Sequence, residues 1–363
     1  MNVSLPSNRP LRILITRTDR IGDLVLSTPV FSAVRQKYVN AWIACLTFAE
    51  NREIVEGNPF LNEVVLYRKK DHEKGWIGNL KFARLLAKKK FDIVIHLHAT
   101  NRMHFVSWLA RIPMRVGYGR KLPWALTHSI PDLKKEGTRH EADYNFDLLR
   151  VMGVSNPQTL ETYFPLSPKA KDSLDELLRH HKISFDKPWV ILNPAASCPS
   201  KVWPPQRFGA LCNRMAERFN VQFFGIGTRG DRLLTKQLKE TSAVPICDLS
   251  GKLSLAMLGQ LLHRAALLIS NDSGPVHIAA ALRTPVISIF GRKQPGLSPT
   301  RWRPLGDSSR VIWKDVGCDP CLAHLCQIHF LCLDAISTED VFHEVMMFSS
   351  RLESKKSNEA IPA

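Results

Sequence analysis

Three loops of this 363-residue chain carry residue types that could do chemistry together. One is Asn271-Asp272-Ser273-Gly274-Pro275-Val276-His277, which follows an apolar run and opens an apolar helical stretch. Asp272 or Ser273 is placed to cap that helix, and Pro275 suits its first turn. Free backbone N–H groups at a helix start, aided by the helix dipole, form a ready anion site. Gly274 lets a phosphate approach the backbone closely. A well-capped helix alone would account for Asp, Ser and Pro but would leave His277 idle. The spacing favours a phosphate ligand.

A second loop, Asn193–Trp203 (NPAASCPSKVW), offers Ser197 as a hydroxyl donor and Lys201 as a mobile cation. A departing nucleoside diphosphate needs its growing charge neutralised, and lysine can do this without a metal. A lone loop lysine is otherwise simply surface charge. In the third loop, Thr18-Asp19-Arg20-Ile21-Gly22-Asp23, a carboxylate sits near a helix start. There Asp23 either caps the helix or, as a general base, removes a proton from an acceptor hydroxyl. Asp19 competes for that task. Arg17 and Arg20 would keep either carboxylate ionised and could grip anionic groups.

Two further patterns point elsewhere. Gly225-Ile226-Gly227-Thr228-Arg229-Gly230 fits G-x-G-x-x-G, and Asp248 lies where a ribose-binding acid would be expected. That is the mark of a nicotinamide- or flavin-dependent oxidoreductase, although the match falls on the second strand of its half. Cys318, Cys321, Cys326 and Cys332, with His324 and His329 between them, could hold a structural zinc. Their spacing is not the paired Cys-x2-Cys of common zinc sites, and thiols packing a late loop are the alternative.

These loops need rigid elements behind them. Leu11–Arg17, Trp42–Leu46, Val64–Tyr67 and Phe91–Leu97 are short apolar runs with helical stretches such as Thr28–Tyr38 and Leu80–Lys89 among them. Such alternation predicts βα units and a parallel sheet. After a polar linker over 167–187 the pattern restarts. Strands are expected at Pro188–Asn193, Val221–Ile226, Ala265–Ser270 and Pro285–Phe290, with helices at Pro205–Phe219, Arg229–Lys239 and Pro275–Leu282. Ser337 and Asp340 are spaced as a capping box for a terminal helix reaching Arg351, before a polar, fraying tail. The expected division is 1–170, 171–336 and a helical tail 337–363. Two doubly wound domains make a cleft, with ligands beyond the carboxyl ends of the strands.

Composition narrows the function. Hydrophobic residues make up 44%, enough for two cores. No run approaches the roughly 20 apolar residues that span a bilayer, and no secretory signal is apparent, so a cytoplasmic protein is expected. Fifty Lys and Arg against 33 Asp and Glu give a net charge of +17, which favours phosphate-bearing partners. Basic runs at Arg68-Lys69-Lys70, Lys88-Lys89-Lys90 and Lys134-Lys135 all fall in the first half. No nucleic-acid-binding motif accompanies them, so an anionic membrane surface or a phosphorylated acceptor fits better than nucleic acid.

The opening RILITRTDRIGDLVLSTPVFSAVR and the block NDSGPVHIAAALRTPVISIFG resemble glycosyltransferase family 9, the lipopolysaccharide heptosyltransferases, and the likeness runs over essentially the whole chain. The resemblance implies a GT-B α/β fold of two Rossmann-like doubly wound domains, an N-terminal acceptor domain and a C-terminal domain for ADP-heptose. It implies an inverting transfer with no cofactor and no catalytic metal. The catalytic aspartate then falls on Asp23 and the diphosphate lysine on Lys201. Donor contacts fall on Ser197, Asp272, Ser273, Gly274 and His277, with Ser273 in place of the family's frequent threonine. Gly251-x-Leu253 is similar to the adenine-pocket lining, and the 225–231 loop, with Asp231, would face the nucleoside. The acceptor, a lipid A–Kdo core sugar at the inner membrane, would enter along Arg17, Arg20, Arg115 and Arg120. A monomer acting at the cytoplasmic membrane face is expected. A basic protein that binds anionic glycolipid or nucleotide without turnover is the rival reading, but it gives Asp23 no task.

Overall fold

The computed structural model describes residues 8–68, 75–157, 159–181, 183 and 185–353. Lys69 and Lys70 of the first basic run, and the tail from 354 onward, lie outside the described residues. Contacts divide the chain into two compact units, Met1–Pro165 and Leu166–Ala363.

In the first unit six strands form one parallel sheet: β1 (Arg12–Thr16), β2 (Trp42–Phe48), β3 (Glu63–Tyr67), β4 (Ile93–His96), β5 (Met114–Tyr118) and β6 (His128–Ile130). Their spatial order is β3-β2-β1-β4-β5-β6. The chain starts in the middle, winds out to one edge, returns, and winds to the other. Strand order therefore reverses between β1 and β4, where loops diverge and leave a crevice at the carboxyl ends. Every residue of β4 is buried, as expected of a strand covered on both faces. Among the helices, α1 (Ile21–Val25), α2 (Thr28–Lys37), α3 (Gly75–Lys88), α4 (Asn101–Leu109) and α5 (Glu141–Arg150) matter below.

The second unit repeats the plan. Its strands are β7 (Trp189–Asn193), β8 (Gln222–Gly225), β9 (Ile246–Asp248), β10 (Leu267–Asn271), β11 (Val286–Ile289) and β12 (Ser309–Ile312). They are ordered β12-β11-β10-β7-β8-β9, so here the reversal lies between β7 and β10. All residues of β7 and β10 are buried. The expected strands and helices are found within a few residues of their predicted ends.

Two expectations change. The polar stretch 167–187 is not a linker: it contains α6 (Pro168–His180), which packs against the helix Leu255–Arg264. Ser167 accepts from the Ala170 N–H at 3.4 Å, Pro168 opens the first turn, and Ala170, Leu174 and Leu178 form a buried stripe every four residues. The short apolar stripe is hidden among charges, which made the segment read as polar. The terminal helix ends at Met346 with a second short helix at Ser349–Leu352, rather than running unbroken to Arg351. Its capping box forms as expected, with Ser337 N–H donating to Asp340 at 2.7 Å and Asp340 N–H donating to Ser337 Oγ at 3.1 Å. Val341, Phe342 and Val345 sit in the same core as Trp203, Phe208 and Ile336, so the helix is part of the second unit.

Candidate active site

Both loops expected to hold a phosphate emerge at the strand-order reversal of the second unit. Asn193 ends β7 and Asn271 ends β10, and these two amides knit the loops together. Asn271 Nδ2 donates to the Pro194 carbonyl at 2.7 Å, and the Trp203 N–H donates to Asn271 Oδ1 at 3.1 Å. Asn193 Nδ2 donates to Ser273 Oγ at 2.8 Å and to Ser270 Oγ at 3.0 Å. The loop ends are thereby pinned by buried bonds.

Ser273 is the N-cap residue of the helix Gly274–Ala281, yet its side chain makes no capping bond. Asp272 does not cap either. Its carboxylate instead lies 2.8 Å from Lys201 Nζ and 3.0 Å from the Arg292 guanidinium. All three groups are nearly buried, with Asp272 only 4% exposed at its side chain. The capping role offered for Asp272 or Ser273 thus gives way to a buried cluster. Two cations share one carboxylate, leaving a formal charge of +1 beside the start of the helix Gly274–Ala281, where the Val276 N–H already donates to the Ser273 carbonyl at 3.3 Å. That arrangement suits an anion.

Arg292 was missed from the sequence. The available signal was its place just after β11, whose carboxyl end borders that of β10. Gly291 explains the close approach: a Cβ there would stand 2.7 Å from the Ser200 carbonyl, so only glycine lets this strand end pass the Lys201 loop.

His277 is buried on the helix. Ser197 is exposed in the loop after β7, and Leu253 is half-buried beyond β9. Asp231 accepts from the Thr228 N–H at 2.8 Å and from its hydroxyl at 2.6 Å, closing a capping box. The glycine fingerprint follows β8, the neighbour of β7, and so lies away from the order reversal where a Rossmann dinucleotide site would be. Its Thr228–Asp231 turn is a local cap. The oxidoreductase reading loses its support.

In the first unit, Arg17 follows β1 and is 2% exposed. Its guanidinium donates to Asp19 at 2.9 Å, to Asp23 at 2.6 Å, to Glu141 at 3.0 Å and to Asn145 at 3.0 Å. Lys134 Nζ approaches the same Glu141 at 2.7 Å. Arg17 is spent on these internal acceptors, so its guanidinium is not open for the direct grip on an acceptor expected of it and holds the Asp23 carboxylate instead. Asp23 stands in the first turn of α1 with its carboxylate on Arg17 and 14% exposed, and Arg20 takes the N-cap position. Helix capping is therefore not what Asp23 does. Burial, reinforced by the charge of Asp23 and opposed by Arg17, pushes Asp19 up to about 7. His98 lies 3.6 Å from Asp19, but burial and then Arg17 push its imidazole down to about 4, so it adds no cation at neutral pH.

Arg20 is exposed next to these carboxylates, and Arg120, beyond the carboxyl end of β5, pairs with Asp132 at 3.1 Å. Arg115 is different. It sits near the amino end of β5 and donates to the carbonyls of Ala125 (2.6 Å) and Ile112. In a parallel sheet that end is opposite the carboxyl-end loops, so the acceptor contact expected of Arg115 is corrected to a structural one.

Cys318, Cys321 and Cys326 lie close enough to Cys332 to add to the burial that pushes its thiol up to about 11. Among the described residues no group of three or more His, Cys, Asp or Glu is placed to hold a metal ion. Cys332 donates to the Gly291 carbonyl, and Cys326 Sγ accepts from the Phe330 N–H at 3.3 Å.

Two parallel sheets of order 3-2-1-4-5-6 are the GT-B architecture. Residues 79–331 match glycosyltransferase family 9 (heptosyltransferase), and the chain belongs to that family. It is 27% identical over 303 residues to lipopolysaccharide heptosyltransferase 3 of Escherichia coli K12, covering 80% of this chain and 85% of the relative. A glycosyl transferase family 9 structure from Veillonella parvula shares the fold with a TM-score of 0.84 at 22% identity, over 95% of this chain and 99% of that one. The E. coli ADP-heptose LPS heptosyltransferase II does so with a TM-score of 0.74 at 22% identity, over 93% and 98%. Among the described residues no helix is long and apolar enough to cross a membrane.

Proposed function

We propose that this chain moves heptose from ADP-heptose to the inner core of lipopolysaccharide, with inversion and without a catalytic metal. The observation that carries the donor half is the buried Lys201–Asp272–Arg292 cluster at the start of the helix Gly274–Ala281. Its surplus positive charge suits the diphosphate, and Lys201 and Arg292 neutralise the charge that grows on departing ADP. Asp272 holds both cations in place. The Gly274 N–H at the helix start donates to a phosphate oxygen, Ser197 and Ser273 add hydroxyls, and His277 lies one turn on. Leu253 and Asp231 border the nucleoside.

Asp23 takes the acceptor proton as the hydroxyl oxygen attacks the anomeric carbon from the face opposite ADP. Arg17 holds that carboxylate in one orientation. Arg20 and Arg120 receive an anionic lipid A–Kdo acceptor, which places the enzyme, as a monomer, at the cytoplasmic face of the inner membrane. The family names of its relatives and the E. coli structure named for ADP-heptose support the choice of donor.

Incubation with ADP-heptose and a truncated core acceptor, read by mass spectrometry, tests this. A heptose-sized mass increase, with free ADP released, is expected. Bound nucleotide with an unchanged acceptor would mean a binding protein, and transfer from a different sugar nucleotide alone would overturn heptose.

A further inference from the structure

The first unit carries an exposed aromatic surface that neither the donor nor the acceptor chemistry uses. Trp76 on α3 is 62% exposed, Trp108 on α4 42%, and Trp124 in the turn Pro123–Ala125 57%. Their rings form a chain. Trp76 lies 5.5 Å from Phe105, Phe105 lies 5.8 Å from Trp108, and Trp108 lies 5.4 Å from Trp124. Ile77, also exposed, adjoins Trp76 on α3. Large apolar side chains grouped at a surface mark an interaction site.

The turn that presents Trp124 is held deliberately. Leu122 stands at φ 37°, a left-handed conformation unfavourable for leucine, and Arg115 anchors the turn through the Ala125 carbonyl. Arg115, which has no place at the carboxyl-end loops, has its task here.

Charge names the partner. Between residues 75 and 131 the chain has ten Lys and Arg and a single acid, Asp92, which is buried and bonded to Arg9. Lys81, Arg84 and Lys88 are exposed along α3, and Arg111 and Lys121 are exposed beside Trp108 and Trp124. Tryptophan rings among lysines and arginines match the interfacial layer of an anionic bilayer, with rings at headgroup depth and cations on lipid phosphates. A second copy of this chain would set like charges against each other across a symmetric contact. Nucleic acid would use the rings and cations but not the exposed isoleucine.

We infer that Trp76, Trp108 and Trp124, with the surrounding cations, dock this enzyme on an anionic lipid surface without inserting a spanning segment. The inference deepens the proposed function, since it brings the enzyme to an acceptor held in a membrane. It does not need that acceptor to be present.

The test uses the full chain and vesicles with and without about one quarter phosphatidylglycerol in phosphatidylcholine. Binding about tenfold tighter to the anionic vesicles is expected, with a blue shift of tryptophan emission and weakening at high salt. The double variant Trp76→Ser and Trp124→Ser should lose about tenfold of that affinity. It should keep wild-type transfer to a soluble truncated acceptor, which shows that the variant is folded. Lys81→Glu with Lys121→Glu should lose anionic binding in the same way while leaving soluble transfer intact. Equal binding to both vesicle types, or binding indifferent to these substitutions, overturns the inference. So does a concentration-dependent dimer that Trp124→Ser abolishes, which would assign the surface to a second copy. Loss of transfer to the soluble acceptor by the wild-type chain would sink the proposed activity instead.

Discussion

The two units share a strand order, yet the charge clusters at their order reversals have opposite sense. In the second unit two cations share one carboxylate, Asp272. In the first, Arg17 and Lys134 face three carboxylates, Asp19, Asp23 and Glu141. One cluster therefore has a formal surplus of positive charge and the other a surplus of negative charge. A buried surplus is costly unless something relieves it. A bound phosphate would relieve the first kind. A proton relieves the second, and the raised titration of Asp19 is that relief at work. The same scaffold thus suits an anion in one unit and a proton in the other, and the sign of a single unpaired charge makes the difference.

The strongest attempt to break this comparison is Asp23→Asn. Transfer should fall by roughly a thousandfold, within the range for losing a general base, while calorimetry finds ADP affinity unchanged. Turnover at the wild-type rate would remove Asp23 from the reaction. Next is Asp272→Ala, which leaves Lys201 and Arg292 buried without their shared partner. A loss of about 3–5 kcal/mol in unfolding free energy is expected by denaturant titration, and added ADP should recover part of it. No stabilisation by ADP would mean the cations do not meet the diphosphate. Lys201→Met should cost about tenfold or more in ADP affinity with little loss of fold stability, because Arg292 still pairs with Asp272.

A pH series sharpens the other side. Asp19 keeps its proton in the fold to higher pH than in the unfolded chain. Its stabilising contribution is present in full below the ordinary carboxylate value and is lost as pH rises through about 7. Asp19→Asn should flatten that decline in a pH-dependent melting series; an unchanged slope would assign the titration elsewhere. The smallest effect lies far from both clusters. Ser337→Ala removes the cap of the terminal helix and should cost about 1 kcal/mol, seen as a small drop in melting temperature with transfer unaffected.

Much of this was legible in the chain. The core strands declared themselves because they are short, apolar and buried on both faces, as in Trp189–Asn193 and Leu267–Asn271. The capping box at Ser337 and Asp340 was legible because it is a bond between residues three apart. Lys201 and the Asn271–His277 loop stood out as types and spacings. The pairing of Lys201 with Asp272 did not, since 71 positions separate them. Nor did Arg292, which reads as one more arginine in a chain of 50 Lys and Arg. Arg17 and Arg115 were misplaced for one reason: an arginine's residue type says it is charged, not whether its guanidinium faces water or internal acceptors.

What the sequence determined by itself was therefore local or periodic: the βα alternation, the helix starts, the glycines and prolines that shape loops, and the overall excess of positive charge. Only the tertiary structure decided which charges meet. Two order reversals bring the ends of β7, β10 and β11 together in one unit, and the end of β1 beside α5 in the other. Ion pairing depends on distance in space and on burial, and neither is a property of any segment alone. That is why Asp272 turned from a helix cap into the keystone of a cationic pair, and Arg17 from an open grip into the support of Asp23.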